Sequence, residues 1–438
     1  MNIKTFATPY AVTDVSNNLT NKLRLVVIFF LGFSSGLPFL LILSTLSIWL
    51  TESGVGKTQI GLLAWVTVPY TLKFLWSPLI DTYKLPILSK LLGQRRSWML
   101  LSQLMLIAAL VALGASAPEQ GIIYTAISAF LVGLFSATQD IVVEAYRIEI
   151  LQDKECGLGA SCSVLGYRFG MLCSGAGAIY LAAFFNNWAM AYNVMALFML
   201  FGVFTTLFLT NSFPAPQEQH SRVGGLGSSK LLQRAVLTPI KTFVLSHDWW
   251  IIIPFIVSYK IGDTVLNVMS MPFLLEIGFN KLEIAHVAKT FGIMAMIAGG
   301  IVAGALLWRY SLRAILALSL GLQLVASCLF ITQALMGNNL NVLFVTMGIE
   351  NFSCGLGQVA LITYLSKLCS KPHTAMHYAI LSSFASLVRV NFSMFSGWMA
   401  DHLAWPYFYS LVGIGCIPGI IILACNTRHF INFELVRK

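Results

Sequence analysis

The chain has 438 residues, of which 57% are hydrophobic and only 10% are charged, and its net charge is +10. An average soluble domain carries about 25% charged residues, so this composition excludes a soluble globular protein. A nucleic-acid-binding protein concentrates its basic residues on a soluble face, whereas here they lie in short gaps between apolar runs. The lipid bilayer is therefore the predicted partner of most of the chain, and nucleic acid is not.

The apolar runs predict an all-α membrane protein with twelve transmembrane helices, because a spanning helix needs about 20 apolar residues. The first 24 residues are polar, and the run that follows is too long for a signal peptide, so we expect it to be retained. The predicted spans are 25–50, 58–80, 97–117, 121–146, 157–184, 188–212, 249–275, 281–307, 311–335, 341–366, 374–400 and 404–425.

One long polar segment separates six spans from six. It contains Pro214, Pro216 and a glycine-rich stretch at 224–229, which is typical of a flexible linker. The predicted organisation is a cytoplasmic N-terminus (1–24), a six-helix half (25–212), a cytoplasmic linker (213–247), a second six-helix half (248–425) and a cytoplasmic tail (426–438).

A short internal repeat supports two related halves. The pattern Leu-x-Glu-x-Gly-x-x-Lys-x-x-Ile begins at Leu50 and again at Leu274, each time after the first span of a half. Five identities at one spacing favour duplication. Two six-span halves related by a parallel repeat are typical of the major facilitator fold, whose site lies between the halves near the membrane midplane.

The basic residues predict the orientation. Twenty Lys and Arg residues lie in the segments on one side, whereas the other side holds only Lys57 and Lys281. Because Lys and Arg accumulate in cytoplasmic loops, we expect both termini to be cytoplasmic.

The charged residues near the middle of their spans form a candidate substrate site. Placing an ionisable side chain inside a bilayer costs free energy, and residues of this kind are often functional. Lys260 and Asp263, three residues apart, either neutralise each other or take part in binding. Arg168 and Arg389 have no acid one helical turn away, so they need a partner on another helix or an anionic ligand such as a carboxylate or phosphate. Glu350 completes this group.

A second charged group lies toward the cytoplasmic ends. Asp140, Glu144 and Arg147 have a spacing of i, i+4 and i+7, so they share one helix face, and Lys73 lies at similar depth. The alternatives are a structural ion-pair cluster, or residues that carry a proton or open a gate. Asp140, Glu144, Asp263 and Glu350 are the candidate proton carriers.

Two small patterns have a structural and a functional interpretation each. Glycines four apart, at positions 32 and 36 and at 166 and 170, permit close helix packing and could also flex. Tyr70 and Tyr167 lie within spans, where they could pack in the core or stack on a sugar ring.

No metal or cofactor site is predicted. The eight cysteines form no CxxC pair, and His373 and His377 have no third ligand nearby. The expected energy source is a proton gradient, and a monomer is sufficient for this architecture.

Several longer strings resemble the AmpG-type muropeptide permeases over residues 25–425. They include Leu31-Gly-Phe-Ser-Ser-Gly-Leu-Pro38, Pro69-Tyr-Thr-Leu-Lys-Phe-Leu-Trp-Ser-Pro-Leu-Ile-Asp81, Ala137-Thr-Gln-Asp140, Leu165-Gly-Tyr-Arg168, Tyr378-Ala-Ile-Leu-Ser-Ser383 and Ser396-Gly-Trp-Met-Ala-Asp401. The chain departs from the family's pattern at Glu144, where the family usually has Asp, and at His377, where it usually has Gln.

The resemblance implies a proton-driven importer of anhydro-muropeptides in the bacterial inner membrane, serving cell-wall recycling. The rival within the same class is a major facilitator transporter for another anionic metabolite, such as an acyl-CoA or a sugar phosphate. A polytopic membrane transferase is the rival of a different class, but the chain has neither an Asp-rich motif nor a large outer loop for catalysis. We therefore predict a transporter, not an enzyme.

Overall fold

The structure, a computed structural model, describes residues 10–56, 63–119, 121–210, 248–369 and 373–426, and the isolated positions 59 and 245. Most of the predicted linker 213–247 lies outside the described residues. We number the spans α1 to α12 in chain order. They are α1 Lys22–Glu52, α2 (63–82), α3 Gln94–Gly114, α4 Ile122–Ile150, α5 Cys156–Phe185, α6 Trp188–Leu209, α7 Trp249–Glu276, α8 His286–Arg309, α9 Leu312–Met336, α10 Leu340–Leu368, α11 Thr374–His402 and α12 Trp405–Cys425.

The predicted fold class, an all-helical membrane protein, is confirmed. Ten of these helices are long and apolar enough to cross a membrane, and α10, with 29 residues, is also long enough. The α1 helix extends back to Tyr10, before the predicted start of the first span. Each predicted span thus has a helical counterpart among the described residues.

The second span is irregular. It consists of the short helical pieces Leu63–Thr67, Val68–Leu72, Lys73–Leu75 and Ser77–Thr82. Proline lacks a backbone N–H, so Pro69 and Pro78 each remove a potential donor to the preceding turn. Both stand at the start of a short helical piece. Lys73 and Asp81 therefore lie on different helical pieces of α2.

The internal repeat has the same local geometry in both copies. Gly54 and Gly278 have φ values of +76° and +96°, and each follows the C-terminus of the first helix of its half. In each copy the residue after the glycine donates its N–H to the carbonyl five residues earlier, at 3.0 Å and 3.1 Å respectively. This is the Schellman ending, which favours glycine at the left-handed position. The matching turns strengthen the case for duplication.

The α1 and α5 helices pack with their backbones in contact. Gly32 and Gly36 on α1 face the α5 backbone, and a Cβ added at Gly36 would overlap the carbonyl oxygen of Tyr167. Gly166 and Gly170 have the same relation to the backbone of α1. The predicted packing role of these glycines is confirmed, because no larger residue leaves room for this approach.

Each set of six helices has its own apolar core. One cluster of buried side chains joins α1, α3, α4, α5 and α6 and includes Leu106 and Tyr192. Another joins α7, α8, α9, α10 and α12 and includes Phe273 and Tyr409. We call α1–α6 the N-terminal half and α7–α12 the C-terminal half.

Candidate substrate site and gate

The halves meet at the membrane side where the even-numbered helices end, which we call the linker face. Asp81, in the last turn of α2, accepts hydrogen bonds from the backbone N–H groups of Met376 at 2.8 Å and Ala375 at 3.4 Å. The first N–H groups of a helix lack an acceptor within the helix, so this carboxylate caps α11 and complements its dipole. Arg95 pairs with Asp81 at 2.6 Å and with Glu149 at 2.7 Å.

Arg147 makes a second link at the linker face. Its buried guanidinium forms an ion pair with Glu144 on the same helix and donates to the Ser366 hydroxyl of α10 at 3.0 Å. It also lies 5.8 Å from the ring centroid of Tyr378 on α11. Glu144 and Arg147 of the second charged group predicted from the sequence therefore form an ion pair, and the arginine also contacts the other half.

Small residues let α5 and α8 approach closely at the same level. The Ser161 hydroxyl donates to the carbonyl of Gly300 at 2.8 Å, and a Cβ added at Gly304 would lie 2.6 Å from that of Ser161. Ala160 and Val164 of α5 are buried in an apolar cluster otherwise built by the C-terminal half. The junction between α5 and α8 is therefore closely packed and mostly apolar, with one hydrogen bond across it.

A further hydrogen bond joins the halves at mid-depth. Arg168 of α5 donates from Nη2 to the Gln358 side-chain oxygen of α10 at 2.7 Å. The hydrogen bonds of Asp81, Arg147 and Ser161 described above also join the halves, and they lie toward the linker face. The space between the halves is therefore closed toward the linker face.

Aromatic and charged side chains of the N-terminal half cluster beside Arg168. The ring of Phe39 lies 5.6 Å from that of Tyr70 and 6.4 Å from that of Tyr167. Asp140 interacts electrostatically with both tyrosines and with the buried Lys73. Depth along the sequence groups Asp140 and Lys73 with the gate, whereas the structure places them beside the two predicted sugar-contacting tyrosines.

Arg168 on α5 and Arg389 on α11 belong to opposite halves. Both interact electrostatically with Tyr167. The Nε of Arg168 is buried without a hydrogen-bond partner, and the Arg389 side chain is exposed. Within the described residues, neither guanidinium forms an ion pair with an acid. Of the two predicted alternatives, Arg168 has a partner on another helix, the neutral Gln358 amide, and an anionic ligand stays a prediction for both arginines.

The acids of the C-terminal half have different partners. Lys260 and Asp263 form an ion pair at 2.8 Å along α7, which is the neutralising alternative considered from the sequence. Glu350 is only 4% exposed and accepts hydrogen bonds from the amides of Asn351 and, at 3.0 Å, Asn267. No described cation lies within ion-pair distance of Glu350.

Comparison with known proteins decides the family. The family model of the Major Facilitator Superfamily matches residues 28–280 and 242–428. The chain is 33% identical over 407 residues to the protein named transporter AmpG 4 in Rickettsia conorii, covering 92% of this chain and 97% of that one. It is 34% identical over 405 residues to the anhydromuropeptide permease of Escherichia coli K12, covering 91% and 79%. The chain belongs to the AmpG-type branch of the major facilitator superfamily.

Solved structures confirm the fold of this AmpG-type protein. The human organic anion transporter MFSD10 superposes with a TM-score of 0.68 at 16% identity, covering 92% of this chain and 99% of that one. The family resemblance predicted from the motifs is confirmed. Together with the apolar helices, superfamily membership makes the chain a multi-pass membrane transporter rather than an enzyme.

Sequence reasoning missed the neutral partners of the charged residues in this AmpG-type transporter. Gln358, Asn267 and Asn351 lie in apolar spans, and a polar amide there is itself a signal because it needs a partner. Their roles depend on contacts that no local pattern contains. Gln358, for example, is 190 residues from Arg168 in the chain.

Proposed function

We propose that this transporter imports anhydro-muropeptides, which are N-acetylglucosaminyl-1,6-anhydro-N-acetylmuramyl peptides, across the bacterial cytoplasmic membrane for cell-wall recycling. The observation that carries the proposal is the similarity, over nine-tenths of the chain, to a protein named anhydromuropeptide permease. The major facilitator fold supplies two halves with a central site for such a cargo.

The chemistry of the candidate site suits this ligand. A muropeptide has peptide carboxylates at one end and two sugar rings at the other. Arg168 and Arg389 would bind the carboxylates, since a guanidinium presents a planar pair of donors, and Lys260 would add positive charge. The rings of Tyr70 and Tyr167, near Phe39, offer apolar faces on which sugar rings stack.

We assign the coupled proton to Glu350. The other three candidate acids each have a cation nearby, since Asp140 interacts with Lys73, Glu144 pairs with Arg147 and Asp263 pairs with Lys260. Glu350 has only neutral amide partners among the described residues. An isolated charge in a membrane interior is expensive. Burial of Glu350 therefore costs less free energy when the carboxyl group is protonated and neutral. This suits a group that takes up and releases a proton during transport.

The charge distribution supports an assignment of the two sides of the protein. The excess of Lys and Arg assigns the linker face and both termini to the cytoplasm of the inner membrane. The conformation described above is then closed to the cytoplasm. In this state the site would receive cargo from outside, and opening of the linker face would deliver it inside.

Uptake into proteoliposomes tests the proposal. We would measure accumulation of labelled anhydro-muropeptide with and without an imposed proton gradient, using wild-type protein and Arg168→Ala. Stimulation by the gradient, lost in the variant, is the expected result. Uptake at the same rate with and without the gradient would contradict proton coupling but would support the proposed cargo.

The same experiment separates the cargo from other anions. If folded wild-type protein takes up no muropeptide, the cargo is wrong, and a panel that includes acyl-CoA and sugar phosphates becomes the next assay. Glu144 and His377 differ from the usual family residues, so restoring Asp and Gln there would show whether these positions select the cargo.

A further inference from the structure

The hydrogen bond from Arg168 to Gln358 joins α5 to α10 at mid-depth, the level at which the ligand site of this fold lies between the halves. We propose that an anionic group of the substrate displaces Gln358 from Arg168, and that this exchange breaks the hydrogen bond that joins α5 to α10 at mid-depth. Gln358 would then be the residue through which substrate binding promotes opening of the linker face. This inference rests on the proposed function for the identity of the cargo only.

The first argument is that Arg168 is incompletely satisfied. A guanidinium has five N–H donors. Within the described residues one nitrogen donates to Gln358, another has only the Met171 sulfur at 3.9 Å, and Nε is buried with no partner. A neutral amide oxygen is thus the best acceptor that the protein offers to this cation.

The second argument is chemical competition. A hydrogen bond from a guanidinium to a carboxylate or phosphate is roughly twice as strong as one between neutral groups, and it can be bidentate. Asp263 is an acid that interacts electrostatically with Arg168, but it is already paired with Lys260. An incoming anion therefore meets competition from the Gln358 amide rather than from a protein carboxylate.

The third argument is the position of Gln358 on α10. This helix is linked to the N-terminal half at two described hydrogen bonds, one at Gln358 and one at Ser366, which accepts from Arg147. Loss of the first leaves the Ser366 hydrogen bond near the linker-face end of α10 and the apolar packing around Ala160 and Val164. A ligand bound at mid-depth thus weakens a junction that it does not touch.

Two substitutions separate this role from simple packing. Gln358→Glu would convert the displaceable bond into an ion pair with Arg168. Gln358→Leu would remove the acceptor at similar volume. Gln323→Leu is the matched control, because Gln323 is a buried glutamine in a span whose side-chain oxygen accepts from the Cys416 thiol at 3.9 Å, within the C-terminal half.

The measurement combines ligand binding with a distance across the linker face. Spin labels at Asp153 and Tyr310, both exposed and on opposite halves, report that distance in a variant whose exposed Cys328 and Cys425 are replaced by serine. Affinity for labelled anhydro-muropeptide is measured on the same preparations.

For Gln358→Glu we expect at least about a tenfold loss of affinity and a linker face that stays closed with or without ligand. For Gln358→Leu we expect retained affinity and a larger open fraction without ligand, while the Gln323→Leu control matches the wild type. Equal behaviour of the two Gln358 variants, or unchanged distances in Gln358→Leu, would overturn the inference.

The experiment distinguishes an error in the proposed cargo from an error in the proposed role of the Arg168–Gln358 hydrogen bond. If wild-type protein binds no muropeptide, the proposed function is wrong. The ligand-free distances still decide the link, since opening in Gln358→Leu supports it and an unchanged distance contradicts it.

Discussion

Asp81 accepts a hydrogen bond at 2.8 Å from the backbone N–H of Met376, a residue 295 positions later in the chain. One carboxylate therefore caps a helix of the opposite half while it is held by Arg95 of its own half. Any motion that separates the halves at the linker face must break this cap and expose the N–H groups at the start of α11.

Asp81→Asn should weaken closure of the linker face. Asparagine can still accept a hydrogen bond, but it lacks the negative charge that pairs with Arg95 and complements the α11 dipole, and the charge–dipole interaction contributes up to about 1 kcal/mol. We expect the ratio of closed to open protein to fall about fivefold. Distances between spin labels across the linker face measure this ratio.

Glu283→Gln is the control for the Asp81 variant. The Glu283 carboxylate accepts from the backbone N–H of Asn280 at 2.9 Å, at the start of a helix on the other side of the membrane. It makes a comparable cap within one half. An equal shift in both variants would show that closure does not depend on the contact between halves.

Glu350→Gln should abolish gradient-driven accumulation and leave exchange intact. Glutamine keeps the shape and the acceptor oxygen that faces Asn267, but it carries no titratable proton. Counterflow, in which labelled cargo exchanges for unlabelled cargo without a gradient, needs no net proton movement. Retained accumulation in this variant would exclude Glu350 as the carrier, and Asp401→Asn, at an exposed acid, serves as the control.

The Lys260–Asp263 pair should behave as a coupled unit. Removing either partner leaves an uncompensated charge in the membrane interior, which typically destabilises by about 3–5 kcal/mol. Lys260→Ala and Asp263→Ala should each lower the midpoint of thermal unfolding, and the double variant should recover most of the loss. If the double variant transports normally, neutralisation is the whole role of the pair. Loss of muropeptide binding in a stable double variant would instead assign Lys260 to the substrate.

Gly36→Ala should destabilise the protein markedly, although it adds only one methyl group. The new Cβ would overlap the Tyr167 carbonyl, and neither backbone can yield without separating α1 from α5. Overpacking of this kind costs about 1–3 kcal/mol. Gly397→Ala is the matched control, because no atom lies within 4 Å of its added Cβ. Thermal unfolding of the two purified variants should differ clearly, and equal midpoints would contradict close packing.

Much of the fold is predictable from the sequence because the bilayer imposes a simple local rule. A run of about 20 apolar residues must be helical to satisfy its own backbone. The predicted start of α4 at 121 and its observed start at Ile122 agree for this reason. The irregular α2 follows the same rule less well, because Pro69 and Pro78 interrupt it.

The candidate site is predictable in its members but not in its pairings. Buried charges in apolar spans stand out individually, which is why Arg168 and Glu350 could be selected. Local spacing also revealed the pairing of Lys260 with Asp263. The partners of Asp81 and Arg168 lie on distant helices, and their pairing depends on how the two halves meet.

The backbone contact between α1 and α5 has a mechanical consequence. Because backbone atoms of α1 and α5 are already in contact, we expect the two helices to move together as one rigid unit. Tyr167, whose carbonyl faces Gly36, is the neighbour of Arg168 in the chain. We therefore expect a displacement of Arg168 by cargo to be passed to α1 through this backbone contact.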